Sequence, residues 1–212
     1  MTMIKVAFIA LIATCLAVPA ANAQTLELPR GRQGYWVSVG INEVVSDIRE
    51  KGKDKGFYTG QGLSIHLGEM VTERLGLGLF FDYGGLSDQK KTDGVFTKDD
   101  QGATGGLGIE GSLCLWRTLA VRTGFGFGVV MLTDNATEEK SLRGGAGSYL
   151  MLGASYEFFP WRRRLTGGWA ISPALDFRIM PDGNVKAYTG LLGVSVTWWS
   201  GLERNMLILP EE

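Results

Sequence analysis

The chain has 212 residues, 45% of them hydrophobic, and a formal net charge of −1 at pH 7. This balance excludes the strongly basic surface that a nucleic-acid partner would require. One folded domain is expected, because no linker or shift in composition divides the chain.

The first segment, residues 1–23, has the pattern of a secretory signal peptide. Lys5 precedes an apolar run at residues 6–18, and the small-residue tripeptide Ala-Asn-Ala occupies residues 21–23. The pattern predicts export with cleavage after Ala23. A retained membrane anchor is the alternative, but the apolar run is too short to cross a bilayer comfortably.

Both cysteines bear on how the chain is processed. Cys15 would be the lipidated residue of a lipoprotein signal, an alternative that the bulk of Thr14 before it disfavours. Cleavage after Ala23 leaves 189 residues, with 20 basic side chains against 22 acidic ones, because one lysine lies in the leader. Cys114 is then the only cysteine, so no intrachain disulfide can form. Residues 24–33 are expected to be a short N-terminal segment before the folded domain.

Beyond residue 33 the dominant signal is a period of two residues, which predicts β-strands. Eight segments alternate bulky apolar residues with small or polar ones, and no convincing amphipathic helix lies between them. The bulky positions, in chain order, are Tyr35, Val37, Val39 and Ile41; Leu63, Ile65 and Leu67; Leu75, Leu77, Leu79, Phe81 and Tyr83; Leu107, Ile109, Leu113 and Leu115; Val121, Phe125, Phe127 and Val129; Leu150, Leu152, Ala154, Tyr156 and Phe158; Trp169, Ile171, Leu175, Phe177 and Ile179; and Leu192, Val194, Val196 and Trp198.

Short and long connectors alternate along the chain. The short ones are residues 69–74, 117–118 and 159–167, the long polar ones are residues 45–59, 85–102 and 133–145, and residues 181–184 (Pro-Asp-Gly-Asn) give a turn signal. These connections predict an all-β fold, an eight-stranded antiparallel up-and-down barrel over residues 34–199 with a tail at 200–212.

The two faces of these strands predict a barrel surrounded by lipid. A soluble exported barrel of the lipocalin type, binding an apolar ligand, is the alternative, and its outer face should be rich in Lys, Glu and Thr. Here the second face is mostly Gly, Ser and Ala with isolated charges, which suits the narrow lumen of an eight-stranded barrel. The bulky apolar face is then the outer one, and a transmembrane barrel is expected.

Aromatic residues at the strand ends favour the same interpretation. Tryptophans border the short turns or the termini, whereas tyrosines lie on the side of the long connectors. The residues are Trp36, Trp116, Trp161, Trp169, Trp198 and Trp199, and Tyr58, Tyr83, Tyr149 and Tyr188. We expect both groups to lie at the membrane interfaces, because their rings combine an apolar body with a polar edge.

Two stretches carry a resemblance to a known family. LGEMVTERLGLGLFFDYGG (residues 67–85) resembles a strand, turn and strand of the small bacterial outer-membrane β-barrels of the OmpA and OmpX type, and YTGLLGVSVTWW (residues 188–199) resembles their closing strand. The chain departs from the pattern by continuing after Trp199. The resemblance implies a Gram-negative outer-membrane location, periplasmic termini and three long external loops. It also implies outer-membrane lipids and lipopolysaccharide as partners, a possible external ligand or surface at the loops, and a monomer.

Isolated charges fall on the predicted inward face of the strands. They are Asp82, Glu110, Arg122, Asp176 and Arg178. Because opposite charges can pair in a lumen, we expect a structural network that plugs the barrel, with Glu110 and Arg122 as members and Cys114 buried near them. A path for protons or ions is the alternative.

Little in the sequence supports catalysis. His66 is the only histidine, and Ser64 shares its face, so a serine hydrolase resembling an outer-membrane lipid A deacylase is an alternative. Both side chains should face the lumen, however, and no nucleophile, base and orienting group come together. The sequence therefore predicts no catalytic residue, cofactor or metal site, and a structural or surface-interaction role instead.

Overall fold

The eight predicted strands all form. The structure, a computed structural model, describes residues 32–50, 53–92, 95–116, 118–134, 141–159, 168–181 and 185–202. The strands are β1 (Arg32–Glu50), β2 (Lys53–Met70), β3 (Leu75–Thr92), β4 (Val95–Cys114), β5 (Leu119–Asp134), β6 (Ser141–Tyr156), β7 (Gly168–Met180) and β8 (Val185–Leu202). The strands therefore begin two residues before the predicted barrel, residues 34–199, and end three residues after it. The predicted signal peptide, residues 24–31 and most of the tail lie outside the described residues.

The sheet closes into a barrel in which each strand pairs antiparallel with its neighbours in chain order. β1 completes the ring, because Val39 lies opposite both Ile65 of β2 and Val196 of β8. This confirms the predicted eight-stranded up-and-down barrel. No helix within the described ranges is long and apolar enough to cross a membrane.

The barrel has two different ends. The β2–β3 and β4–β5 connections lie at the end where β1 begins and β8 finishes, which we call the short-turn end. The β1–β2, β3–β4 and β5–β6 pairs run on as hairpins at the opposite end, which we call the hairpin end. The β7–β8 connection also lies there, between Met180 and Val185.

The three predicted long loops are largely strand, so that prediction was wrong. The β1–β2 ladder continues to the pair Glu50 and Lys53, and the β3–β4 ladder to the pair Thr92 and Val95. A hairpin outside a membrane needs no apolar outer face, because water surrounds it. The alternation of bulky apolar residues therefore stops while the antiparallel hydrogen bonding continues.

Bulky apolar side chains form a belt around the outside, as their alternation predicted. Ile41, Ile109 and Leu152, on three different strands, are 62%, 63% and 63% exposed. Exposed residues of this kind occur on all eight strands. A continuous apolar belt of this size is unfavourable in water and matches the hydrocarbon layer of a membrane.

The interior is divided into two layers. What we call the apolar compartment lies mostly in the hairpin half and comprises Val44, Ile48, Tyr58, Phe80, Leu86, Val130, Leu132, Tyr149, Met151, Met180, Val185, Ala187 and Leu191, which pack into one cluster. Phe80 and Met151 extend it to the level of His66 and Arg178. The half nearer the short-turn end contains what we call the polar compartment, whose buried members include His66, Asp82, Glu110, Arg122, Ser172, Asp176 and Arg178. The five charged residues expected in the lumen all lie in the second layer.

Candidate functional site: the lumenal charge cluster

Strand periodicity places the charges of the polar compartment inside the barrel. Asp82 on β3 lies between the exposed residues Phe81 and Tyr83, and Arg178 on β7 follows the exposed residue Phe177. Successive strand residues point to opposite faces, so an apolar outward residue fixes the inward direction of its neighbour. Each charge is thereby held in a narrow, water-poor interior, where it needs an opposite partner.

One ion pair joins opposite sides of the barrel. Arg178 Nη1 lies 2.7 Å from Asp82 Oδ1, and both side chains are almost fully buried. β7 and β3 are four strands apart in a ring of eight, so this bridge runs across the lumen. The Nη2 atom of Arg178 also lies 4.0 Å from Asp176 Oδ2, which makes Arg178 a link between two carboxylates.

Tyr149 is the member of the apolar compartment that contacts the charges of the polar compartment. Its hydroxyl donates to Asp82 at 3.0 Å, while its ring stacks on Phe80 with the centroids 5.8 Å apart. The ring lies against two glycines, and a Cβ added at Gly106 would come within 2.8 Å of it. Gly106 on β4 and Gly128 on β5, which are paired in the neighbouring strands, therefore leave the space that this large side chain occupies inside a narrow barrel.

A second ion pair extends the cluster towards the short-turn end. Arg122 Nη2 on β5 donates to Asp176 Oδ1 at 2.9 Å, and both side chains are buried. Gly153 lies between them on β6, and a Cβ at that position would collide with the Asp176 carboxylate. Asp176 thus connects Arg122 with Arg178, and a continuous chain of opposite charges runs from β5 through β7 to β3.

Glu110 pairs with His66 and not with Arg122. His66 Nδ1 lies 2.8 Å from Glu110 Oε2, with both side chains buried. The β4–β5 register sets Glu110 opposite Gly124 and places Ser112 opposite Arg122, so the two charges are offset by two residues. Each therefore finds its partner on another strand. Energetic coupling between Glu110 and Arg122 through the cluster stays a prediction.

Ser64 and His66 do not form a nucleophile and base pair. Both are buried on β2 and face the lumen, but Ser64 Oγ accepts from Asn42 Nδ2 at 3.1 Å, whereas His66 bonds Glu110. The dyad of His66 and Glu110 thus lacks a serine, among the described residues, at hydrogen-bond distance from the ring. In the described part of the chain, no group of three or more His, Cys, Asp or Glu side chains could hold a metal ion.

Four of the expected membrane-interface aromatics lie inside the barrel, so that prediction was wrong for them. Trp36, Trp199, Tyr58 and Tyr149 are buried, because each falls on the inward phase of its strand. Strand periodicity in the sequence already contained this signal: Trp36 alternates with the outward residue Tyr35. The remaining expected residues differ from these four: Trp116, Trp169, Trp198 and Tyr83 are exposed, Tyr188 is half-buried, and Trp161 lies outside the described residues.

A further buried ion pair at the short-turn end was missed. Arg32, at the start of β1, pairs with Glu157, just after β6, and its guanidinium lies 5.2 Å from the centre of the Trp199 ring. Trp36 packs near it, with its ring centroid 6.0 Å from that of Trp199. Cys114 is buried in the apolar cluster that includes Trp36 and Trp199. It therefore lies nearer the short-turn end than the charge cluster and is not part of it. Glu157 shares the inward phase of β6, which was the available sequence signal.

Comparisons with known proteins agree with this architecture. The family model described as outer membrane protein beta-barrel domain matches residues 8–197. Among solved structures, the chain is similar to Ail, the attachment invasion locus protein of Yersinia pestis, in complex with the heparin analogue sucrose octasulfate. The two share 13% identity with a TM-score of 0.52, over 77% of this chain and 99% of Ail. Neisserial surface protein A shows 15% identity and a TM-score of 0.48, over 79% of this chain and 98% of that protein. No curated protein matches the chain by sequence.

Proposed function

Because the chain belongs to the outer membrane protein beta-barrel domain family, we propose that it is a monomeric membrane anchor whose lumen is closed to solutes and whose three long hairpins act at the cell surface. Its location in the bacterial outer membrane follows from the family and from the apolar belt. The finer proposal concerns what the lumen and the hairpins do.

The observation that carries a closed lumen is the ion pair of Arg178 and Asp82. It joins β7 to β3 across the barrel, and Tyr149 fills the adjacent space between Gly106 and Gly128. Opening a path would require separating buried opposite charges in a medium that screens them poorly. An interior of eight-stranded size leaves little room for a solute beside these side chains.

Bilayer conductance tests this part of the proposal. The purified wild-type protein should give no sustained current steps in planar membranes. An Asp82→Ala, Arg178→Ala double variant removes the transverse bridge together with its charges, and we expect brief openings at most, because Tyr149 and Phe80 remain. Stable wild-type channels of uniform size would contradict a closed lumen and favour the ion path.

The surface role is supported by the hairpins and by the family. Three strand pairs continue past the apolar belt, so three paired hairpins extend beyond the membrane at the hairpin end. We place this end outside the cell and the short turns in the periplasm, as in the barrels that the sequence resembles. The Ail complex with a sulfated heparin analogue suggests polyanionic carbohydrate as the first ligand to test.

Protease treatment of intact cells tests the orientation. Cleavage should occur between the paired strands, after Glu50, Thr92 or Asp134, because loop tips are in general the preferred sites of nicking. Fragments produced only by cutting within residues 71–74 would show that the short-turn end, and not the hairpin end, faces outward. The same preparation should yield a mature protein that begins at Gln24, which would establish removal of the signal peptide.

Neither alternative function has comparable support. A lipid-modifying enzyme would need a nucleophile beside His66, and Ser64 bonds Asn42 instead. A soluble ligand-binding barrel would not place Ile41, Ile109 and Leu152 on its outer face. Binding of sulfated carbohydrate to cells, lost when residues 88–99 are replaced by a two-residue turn, would support the surface role. Equal binding by cells that lack the protein would exclude that ligand class.

A further inference from the structure

The ladder between β6 and β7, which we call the β6–β7 seam, is the shortest in the barrel. Among the described residues it runs from the pair Leu150 and Ile179 to the pair Ser155 and Ala174. These are six residue pairs, whereas each of the other seven ladders joins at least 12. Every pair contributes backbone hydrogen bonds that lipid cannot replace. The backbone therefore holds the barrel together least firmly at this seam.

A proline interrupts the seam towards the short-turn end. Phe158 and Ile171 hydrogen-bond to each other through both backbone nitrogens, at 2.9 and 2.8 Å. In the same register Tyr156 faces Pro173, and because bonded pairs recur at every second residue, these two should form the next bonded pair. Pro173 has no N–H group, so it cannot donate to the Tyr156 carbonyl. The opposite edge of β7 is unaffected, since the β7–β8 ladder continues through Pro173.

A second proline limits the seam towards the hairpin end. Pro181 directly follows β7, and the register of the seam sets it opposite Ser148 of β6, again at the position of a bonded pair. Within sheets, proline is normally confined to edges and bulges, because its missing donor needs no partner there. Both prolines lack the donor that would have faced β6. β7 is thus bonded along its whole length to β8, but only over its middle part to β6.

An ion pair crosses the same seam inside the barrel. Arg122 on β5, Gly153 on β6 and Asp176 on β7 form one row of directly paired residues. The Asp176 carboxylate lies over Gly153, where an added Cβ would collide with it, and it accepts from Arg122 Nη2 at 2.9 Å. Both side chains are buried, so solvent weakens their attraction little. Side chains therefore tie β7 to β5 across β6, where the backbone ladder is short.

We propose that the β6–β7 seam is a built-in line of weakness and that the Arg122–Asp176 pair is a clasp that holds it closed. While the clasp is made, the seam stays shut despite the two prolines. When the clasp is broken, β6 and β7 separate locally, and the barrel opens sideways towards the surrounding lipid. This inference goes beyond the closed lumen of the proposed function. Conductance tests closure along the barrel axis, whereas the experiments below test the seam, so either idea can fail without the other.

Amide hydrogen exchange of the mature chain in lipid nanodiscs tests the line of weakness. The amides of Leu152 and Phe177, an outward pair of the seam, should exchange severalfold faster than those of Leu67 and Leu79, an outward pair of the β2–β3 ladder. Pro173→Ala supplies the missing donor, so it should slow exchange at the seam and leave the β2–β3 pair unchanged. Equal exchange of the two pairs in the wild-type protein, or no slowing at the seam in Pro173→Ala, would overturn the proposal.

Gly153→Ala tests the clasp without removing a charge, because the new methyl group takes the space of the Asp176 carboxylate. Exchange at Leu152 and Phe177 should accelerate severalfold. The same substitution combined with Pro173→Ala should accelerate it much less, since the restored ladder then holds the seam through its backbone. Equal acceleration with and without Pro173→Ala would overturn the clasp.

A disulfide across the seam gives a test that does not depend on the folding of Gly153→Ala. Leu152→Cys with Phe177→Cys links β6 to β7, and Leu67→Cys with Leu79→Cys is the matched control on the longer β2–β3 ladder. Both pairs are made in a Cys114→Ala background, which removes the native thiol. Oxidation should slow unfolding in urea more for the seam pair than for the control pair, because it reinforces the weaker ladder. Equal slowing would show that the β6–β7 seam is no weaker than the β2–β3 ladder, and the proposal would fail.

Discussion

The two halves of the barrel are built from the same eight strands but differ in the polarity of their interiors. Near the short-turn end, charged and hydroxyl side chains lie inside and bulky apolar ones outside, as with Asp82 beside Phe81. Near the hairpin end, Val44 and Leu191 lie inside, and the outer face mixes polar residues such as Gln61 with apolar ones such as Leu192. The first arrangement suits lipid, and the second suits the boundary between lipid and water. The interior therefore changes from polar to apolar along the barrel.

This change means that different interactions stabilise the interiors of the two halves. The hairpin half is stabilised as a soluble barrel is, by burial of apolar area. The membrane half cannot gain much in this way, because lipid is as apolar as its side chains, and its interior relies on paired charges. Substitutions in the two halves should consequently lower the stability of the barrel for different reasons.

The largest effect is expected from leaving a charge alone in the membrane half. Arg178→Met removes the partner of Asp82 at mid-lumen, and loss of one member of a buried pair costs about 3 to 5 kcal/mol. We expect the free energy of unfolding in detergent to fall by that amount. Asp82→Leu should do the same, whereas the double substitution should cost much less than the sum. Additive losses would show that the bridge does not stabilise this half.

A smaller effect is expected from a cavity in the hairpin half. Leu191→Ala empties space in the apolar compartment, and such truncations of buried leucine cost about 3 kcal/mol. The neighbouring residue Leu192 faces outward and provides a matched control, because surrounding lipid or detergent can fill the space left by Leu192→Ala. Denaturant melting of both variants measures the difference. Equal losses would mean that the interior of this half is not packed as a core.

Weaker coupling is expected between two charges that share the cluster without touching. Glu110→Gln and Arg122→Met should each lower stability, and the double variant should lower it by less than their sum, with a coupling of about 0.5 kcal/mol or more. The cycle between Glu110 and His66 should give a larger coupling, because these two are bonded. A larger value for Glu110 with Arg122 would mean that the pairs rearrange in the membrane.

The smallest effect is expected on the outer face of the hairpin half. Arg49 bonds Asp47 at 2.8 Å and lies over the Tyr188 ring, but half of its side chain is exposed. Exposed ion pairs of this kind contribute about 0 to 1 kcal/mol. Arg49→Ala should therefore leave the melting midpoint almost unchanged. A loss as large as that of Arg178→Met would contradict the division between a paired interior and a solvated exterior.

Strand periodicity was enough to predict the fold and the inward direction of the charges. A period of two fixes the face of each residue once the strand is recognised, so Asp82, Arg122 and Arg178 could be assigned to the lumen. The same rule would have placed Trp36 and Trp199 inside. They were assigned to the interface from their position at strand ends, although the phase of the strand decides which way a ring points.

The partners within the cluster could not be predicted in the same way. Arg178 meets Asp82 only because the ring closes with β7 opposite β3, and that depends on the register of all the pairs between them. Glu110 on β4 meets His66 on β2 over the intervening strand β3, which depends on the registers of the β2–β3 and β3–β4 pairs. The length of the hairpins could not be predicted either. In water an antiparallel ladder needs no apolar alternation, so the sequences of polar strands resemble those of loops.

The seam between β1 and β8 has a consequence for the order of assembly. Val39 and Val196 face each other there, although almost the whole barrel separates them along the chain. The other seams join strands that are adjacent in sequence, so their ladders can grow from local hairpins, whereas this one forms late and against the largest loss of chain entropy. Until it forms, both edge strands expose unpaired backbone groups that lipid cannot satisfy. The rate of folding into bilayers should therefore be limited by seam closure, and the edges of β1 and β8 are where an assembly factor would have to hold the nascent barrel.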